Sequence, residues 1–329
     1  MLRFNSNHEY VARCLDDGFS LFESDTFRRI KSVTEIGAMA LAILVGSSKL
    51  AVLVPAVTDT ATASPRQLIL YDIQQCQSMS DLVLDTQNGI LNVETNEHRL
   101  VVVTETELHI FELPSMAPVQ YVKTAPNPKG VVSLCPNVFA TATVPSCCYV
   151  SFPTVLKSGD DCVVVHDVMD RSTTQVTVLL RPHKTSVTNL KFCADGQKLA
   201  TASAKGTVIR IWSMPQGIPL HSLRRGNSTA TIFTLSFGGT QNELLAVSSS
   251  SGTIHVFSCG EPYATTVAAF SAQKRSLWSV KVKDGSRFTG VALTRDGSKM
   301  HVVNAGWGFS YQVLEGIKGA KLIHESKLQ

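Results

Sequence analysis

Seven short β-type runs recur along this chain, and their recurrence constrains the fold more than any other feature. They are Phe19–Glu23 (FSLFE), Leu68–Asp72 (LILYD), Leu108–Glu112 (LHIFE), Val163–Asp167 (VVVHD), Ile209–Ser213 (IRIWS), Ile254–Ser258 (IHVFS) and Phe309–Gln312 (FSYQ). Each is rich in aliphatic or aromatic residues and ends on a polar or acidic one. Most follow a turn signal such as Asp16-Asp17-Gly18, Lys205-Gly206-Thr207 or Ser251-Gly252-Thr253. Neighbouring copies lie roughly 40–55 residues apart, the period of a four-stranded propeller blade. Seven copies fill 329 residues. The expected fold is therefore all-β, a seven-bladed β-propeller with four antiparallel strands per blade, forming a single domain over 1–329. No stretch keeps a helical period for more than two turns. A Trp-Asp dipeptide is absent, and Ile211-Trp212-Ser213 comes nearest to it.

Two other features bound the class of protein. The apolar stretch from Gly37 to Val57 is interrupted by Gly46-Ser47-Ser48-Lys49 and by Pro55. A membrane span needs about 20 continuous apolar residues, so two buried strands joined by a turn fit better. The eight cysteines are scattered, with one adjacent pair at Cys147-Cys148 and no C-x-x-C. A reduced, intracellular chain without a zinc or redox motif is expected. The N-terminus shows no apolar signal segment, so no secretory leader is expected.

Charge is uneven. The net charge is +4, but Arg181 to Arg225 holds eight Lys/Arg and one acid, Asp195. This pattern fits a protein that presents one edge to an anionic partner, and a solvated basic face is the alternative. Within this region two copies of one pattern stand on either side of Leu223-Arg224-Arg225-Gly226. Ser203, Gly206, Thr207 and Arg210 form the first, and Ser249, Gly252, Thr253 and His255 the second. Adjacent arginines in a strand point to opposite sides, so each can serve its own set of hydroxyls and cations. Hydroxyls donate to phosphate oxygens, and arginine adds a planar fork. His183, in Arg181-Pro182-His183-Lys184, is a further cation candidate, although a histidine here can also bond within its own blade. Phe27-Arg28-Arg29-Ile30 offers an internal control: it has paired arginines but neither the glycine nor the flanking pattern, and it reads as a surface strand of blade 1.

The segment from Ser258 to Leu277 links two strands and is longer than a hairpin needs. It carries Tyr263, Val267 and Phe270, followed by Lys274 and Arg275. Apolar residues beside basic ones suit shallow contact with an anionic bilayer, while an inward-facing strand is the alternative. Catalytic motifs such as G-x-S-x-G, H-E-x-x-H and G-x-x-x-x-G-K-[ST] are absent, and His166-Asp167 and Asp160-Asp161 belong to no recognisable catalytic set in the sequence. No enzyme, cofactor or metal is expected. Nucleic acid is not expected either, since few aromatic residues interleave the basic ones.

Leu223-Arg224-Arg225-Gly226 matches the Phe/Leu-Arg-Arg-Gly signature of the PROPPIN family, and the chain resembles that family. The runs Ala200–Ile211 and Ser249–Phe257 look like its blades 5 and 6. Asn127–Gly130, Leu134–Asn137, Phe4-Asn5 and Asp17–Phe19 agree as well. The resemblance implies a phosphoinositide-binding propeller of autophagy. It implies one head-group site from Arg224, His183, Ser203, Thr207 and Arg210, and a second from Arg225, Ser249, Thr253 and His255. The ligands would be phosphatidylinositol 3-phosphate and/or the 3,5-bisphosphate. It further implies a cytoplasmic monomer held peripherally on pre-autophagosomal, endosomal or vacuolar membranes, with autophagy proteins such as a lipid-transfer protein as partners. A WD-repeat-like protein scaffold without lipid specificity is the competing expectation.

Overall fold

The computed structural model describes residues 1–57, 64–138, 147–156, 158–169, 176–260, 273–282, 285, 287–314 and 319–328. Tyr263, Val267 and Phe270 lie outside these residues. The chain divides into two compact units, Met1–Gly130 with Ser326–Gln329, and Val131–Glu325. All regular structure among the described residues is β, in seven four-stranded antiparallel blades of a β-propeller.

The first unit contains blade 1 (β1 Leu2–Phe4, β2 Tyr10–Cys14, β3 Phe19–Glu23, β4 Arg29–Val33), blade 2 (β5 Met39–Leu44, β6 Leu50–Pro55, β7 Gln67–Asp72, β8 Gln77–Val83) and blade 3 (β9 Asn92–Thr95, β10 Arg99–Val103, β11 Glu107–Glu112, β12 Pro118–Lys123). The second contains blade 4 (β13 Ser133–Leu134, β14 Tyr149–Val155, β15 Asp161–Asp167, β16 Val176–Leu180) and blade 5 (β17 Val187–Phe192, β18 Lys198–Ser203, β19 Val208–Ser213, β20 Pro219–Arg224). Blade 6 (β21 Ile232–Gly238, β22 Leu244–Ser249, β23 Thr253–Ser258) follows. Two short strands come next, β24 (Gln273–Arg275) and β25 (Trp278–Lys281). Blade 7 (β26 Thr289–Leu293, β27 Lys299–Asn304, β28 Trp307–Leu314, β29 Gly319–Lys327) completes the set.

All seven recurring runs fall on the third strand of a blade: β3, β7, β11, β15, β19, β23 and β28. The reason is visible in their burial. In β7, β11, β19 and β23 the second, fourth and fifth residues are buried because both faces of the strand are covered. Leu68 and Leu70 of β7 lie in one apolar core and Tyr71 in another, and Ile254 and Val256 of β23 lie in one and Phe257 in another, as alternation requires. The pairing with the fourth strand shifts at Leu21/Phe22, Leu70/Tyr71, Ile110/Phe111, Val165/His166 and Ile211/Trp212. The same bulge thus recurs in blades 1 to 5 and adds twist to each. Fourth strands are the most exposed, as in β4, β8 and β12, and Arg29 lies on one of them.

The stretch from 37 to 57 forms β5 and β6, joined by the Gly46–Lys49 turn. Among the described residues no helix is long and apolar enough to cross a membrane.

Blade 6 is completed from beyond the Ser258–Leu277 segment. Its outer strand is β25, which pairs with β23. Lys274 and Arg275, expected in a free membrane-contact loop, instead belong to β24, which leaves blade 6 and pairs in parallel with β20 of blade 5. The outer strand β20 offers an open row of backbone groups, and β24 covers it.

Candidate functional site

Leu223 fixes the geometry of the arginine pair. It is fully buried in an apolar core built from Ala202, Ile209 and Ile211 of blade 5 and Ile232, Leu235, Val247 and Phe257 of blade 6. Alternation along β20 then places Arg224 on the opposite face of blade 5. Arg225, just past the strand end, lies on Leu223's side, toward blade 6. The bonds agree. Arg224 is half-buried and donates through Nε to Asn227 Oδ1 (3.1 Å) and through a terminal nitrogen to Gln273 Oε1 (2.7 Å). Arg225 is 8% exposed; it donates through Nε to the Gly206 carbonyl (2.7 Å) and through a terminal nitrogen to the Ser228 carbonyl. Among the described residues neither arginine pairs with a carboxylate. Two cations held by neutral acceptors can each take up an external anion.

The first set of predicted residues is partly assembled. Register pairs Thr201 with Arg210 and Arg210 with Ser222, and Ser203 has the same parity as Thr201. Arg210, Ser203 and Arg224 therefore share one face of blade 5. Arg210 also donates to the Pro182 carbonyl, next to His183. The His183 ring is engaged inside the blade: Nε2 lies 3.0 Å from Thr201 Oγ1 and 3.1 Å from the Thr201 carbonyl, and Trp212 Nε1 donates to the same hydroxyl at 3.2 Å. Burial, reinforced by the nearby Arg210 charge, pushes the His183 pKa down to about 4. The sequence leaves His183 either a cation or bonded within its own blade; its bonds are of the second kind, and burial and the Arg210 charge disfavour its protonated form. Thr207, expected with Arg224, is bonded instead to the backbone of Arg225 and Gly226, whose N–H groups donate to its carbonyl (2.9 and 3.4 Å).

The second set converges more completely. Val247 faces blade 5 in the shared core and pairs with His255, so His255, Thr253 and Ser249 share that face by parity. Burial and then the Arg225 charge hold the His255 pKa below its usual value, which places this ring beside Arg225. Ser249 Oγ lies 2.9 Å from Ser251 Oγ. The repeated Ser-x-x-Gly pattern has a structural cause. The Gly206 N–H donates to the Ser203 carbonyl (2.8 Å) and the Gly252 N–H to the Ser249 carbonyl (3.1 Å), so both are the same tight turn. Gly206 has φ +60°, and a Cβ there would sit 1.9 Å from the Ala230 carbonyl oxygen, so only glycine fits.

Several residues at this edge were not predicted. Asn227 and Gln273 hold Arg224. Ser276 lies with its Oγ 3.4 Å from His255 Nδ1, and Lys281 pairs opposite Thr253. Asn227 could have been found, because it directly follows the arginine motif. Gln273 and Ser276 arrive from the far end of the 258–277 segment and Lys281 from β25 just beyond it, and only strand pairing reveals them.

With this geometry in place, the relatives decide the family. The PROPPIN family profile matches residues 1–288. The chain belongs to the PROPPIN family. Autophagy-related protein 18 of Mycosarcoma maydis is 32% identical over 279 residues, covering 78% of this chain and 58% of its own length. The Dictyostelium discoideum protein of the same name is 31% identical over 256 residues, covering 78% of this chain and 64% of its own length. The matches thus span about three-fifths of these relatives. Among solved structures, Kluyveromyces lactis Hsv2 with its complete loop 6CD superposes with a TM-score of 0.79 at 17% identity, covering 100% of this chain and 98% of its own. KlAtg21, in complex with the coiled-coil of AgAtg16, gives 0.77 at 18% identity, covering 100% of this PROPPIN and 99% of its own chain. At these identities the two structures speak for the fold alone.

Proposed function

We propose that this PROPPIN is a phosphoinositide effector that recruits autophagy machinery to membranes. It binds phosphatidylinositol 3-phosphate, the 3,5-bisphosphate, or both, through one site on each face of blade 5, and it acts by binding rather than catalysis. The observation that carries this reading is the opposite orientation of Arg224 and Arg225, each held by neutral acceptors, Arg224 by the Asn227 and Gln273 side chains and Arg225 by the Gly206 and Ser228 carbonyls. Two shallow sites on one rigid element reinforce each other through effective concentration. Lys274 and Arg275, docked beside Arg224 on β24, add positive potential toward an anionic surface. The protein would work in the cytoplasm, peripherally attached to pre-autophagosomal, endosomal or vacuolar membranes. The coiled-coil bound by the neighbouring Atg21 structure supports an autophagy protein as partner class.

The test is co-sedimentation with vesicles carrying the 3-phosphate, the 4-phosphate or phosphatidylserine at equal charge. Wild type should prefer the 3-phosphate, and Arg224→Ala/Arg225→Ala should lose that preference while keeping a cooperative melt. Arg225→Lys keeps the charge but loses the planar fork, and should weaken binding in a chain that folds normally. Equal binding to every anionic vesicle would sink the lipid reading and leave a protein-interaction scaffold.

A further inference from the structure

The turn that follows the arginine pair closes back on it. Gly226, Asn227, Ser228 and Thr229 connect β20 to β21, and the last three are exposed. Arg224 is bonded to the Asn227 side chain and Arg225 to the Ser228 carbonyl. One exposed hydroxyl residue, Ser228, therefore has its main chain within hydrogen-bond distance of the buried arginine and directly follows the residue that holds the other. Phosphorylation of such a residue adds about −1.5 to −2 charge and three acceptor oxygens. Neither arginine has a carboxylate partner among the described residues, so nothing would compete with that phosphate from within the fold.

We propose that Ser228 is a phosphorylation site, and that its phosphate pairs with Arg225 and Arg224 and shuts both to external head groups. The inference rests on the lipid reading of the site but adds its regulation. A protein kinase would transfer the γ-phosphoryl group of a nucleoside triphosphate to Ser228 Oγ. The Oγ–P bond forms, the bridging bond to the β-phosphate breaks, the hydroxyl proton is released and the diphosphate leaves. Hydrolysis by a phosphatase restores the serine. The internal phosphate has the advantage of proximity: tethered groups act at effective concentrations on the order of millimolar, without the cost of a second encounter. Thr229, one residue further on, provides a positional control because no bond ties it to either arginine in the structure.

The experiment installs phosphoserine at position 228 during translation and compares it with wild type, with phosphothreonine at 229, and with Ser228→Ala. Two readouts are taken. In co-sedimentation with vesicles containing phosphatidylinositol 3-phosphate, phosphoserine at 228 should weaken binding at least tenfold, while Ser228→Ala binds like wild type. In a phosphorus NMR titration of the soluble protein, the second ionisation of this phosphate should fall below the usual value of about 6, and Arg225→Lys should bring it part-way back. Vesicle binding equal to wild type, or a phosphate that titrates like that in an unfolded peptide, overturns the proposal. If unmodified wild type binds no 3-phosphate vesicle, the lipid reading itself has failed, and the NMR titration alone decides whether the arginines capture the phosphate. Phosphopeptide mapping of the chain from its own cells should find Ser228 modified, and its absence under both growth and starvation also overturns the proposal.

Discussion

The two faces of blade 5 carry similar residues but hold them differently. On the face toward blade 6, Arg225 is buried and clamped by two backbone carbonyls, with His255 beside it. On the other face, Arg224 is half-exposed and held by two side-chain amides, and the histidine expected to join it is tied up within the blade. Backbone partners fix a guanidinium rigidly and leave carbonyls unsatisfied if it is lost. Side-chain partners fix it loosely and can re-pair with water. One arginine is thus part of the fold as well as of the site, whereas the other belongs to the site alone.

The largest effect removes what the two faces share. Leu223 is fully buried between blades 5 and 6, and Leu223→Ala should cost about 2–5 kcal/mol. Denaturant unfolding should show the midpoint fall, and both head-group sites should weaken together. A loss of binding to only one would show that the arginines are positioned independently.

Next in size is the contrast between the arginines themselves. Arg225→Ala leaves the Gly206 and Ser228 carbonyls without their donor and should cost about 1–3 kcal/mol. Arg224→Ala should change stability by no more than about 0.5 kcal/mol, as at most surface positions. Chemical denaturation of the two variants reads this directly. Equal costs would erase the distinction drawn above, whatever happened to lipid binding.

Much of this was legible in the chain. The third strands announce themselves because they lie inside each blade with both faces buried, so their apolar residues run consecutively before a polar end. Opposite orientation of Arg224 and Arg225 follows from alternation alone. The rest depends on contacts between distant residues. The register of His183 against Thr201 and Trp212 has no short-range signal, so the sequence left its two readings open. A three-residue strand such as β24 has too few residues for a period, and its parallel partner lies about fifty residues upstream, between Ser222 and Gln273. Outer strands such as β8 and β12 are so exposed that their composition resembles loops.

The histidines give a pH comparison of the faces. An unfolded histidine titrates near 6.5, but folded His183 resists protonation down to about 4. Between these values the unfolded chain takes up a proton that the folded chain refuses. The His183 contribution is therefore fully present above about pH 6.5 and is lost as pH falls toward about 4. Melting temperature should drop across that window, and His183→Asn should flatten the slope. His255 is depressed in the same direction, by burial and then by Arg225. An anion at Arg225 would relieve the second cause, so binding should take up a proton and strengthen as pH falls below 6.5. Vesicle titrations should find this gain abolished in His255→Asn and kept in His183→Asn. The opposite assignment would place the titrating ring on the wrong face.

The smallest expected effect probes how loosely Arg224 is held. Gln273 reaches its guanidinium from β24, a strand supplied by the segment beyond blade 6. Removing the amide does not bury or expose a charge, since the site is already half-open to water. Only orientation is lost. Immobilising one long side chain costs about 0.5–1.5 kcal/mol on binding, so a site that forfeits this pre-organisation weakens by about two- to tenfold. Gln273→Ala should therefore melt like wild type and bind 3-phosphate vesicles a few-fold less tightly, with the deficit absent when Arg224 is already alanine. That non-additivity is the decisive reading, because a change acting through general surface charge would persist in the Arg224→Ala background. If it does persist, β24 contributes to membrane attraction without orienting Arg224. The looser face would then owe its ligand to its own turn rather than to the strand borrowed from blade 6.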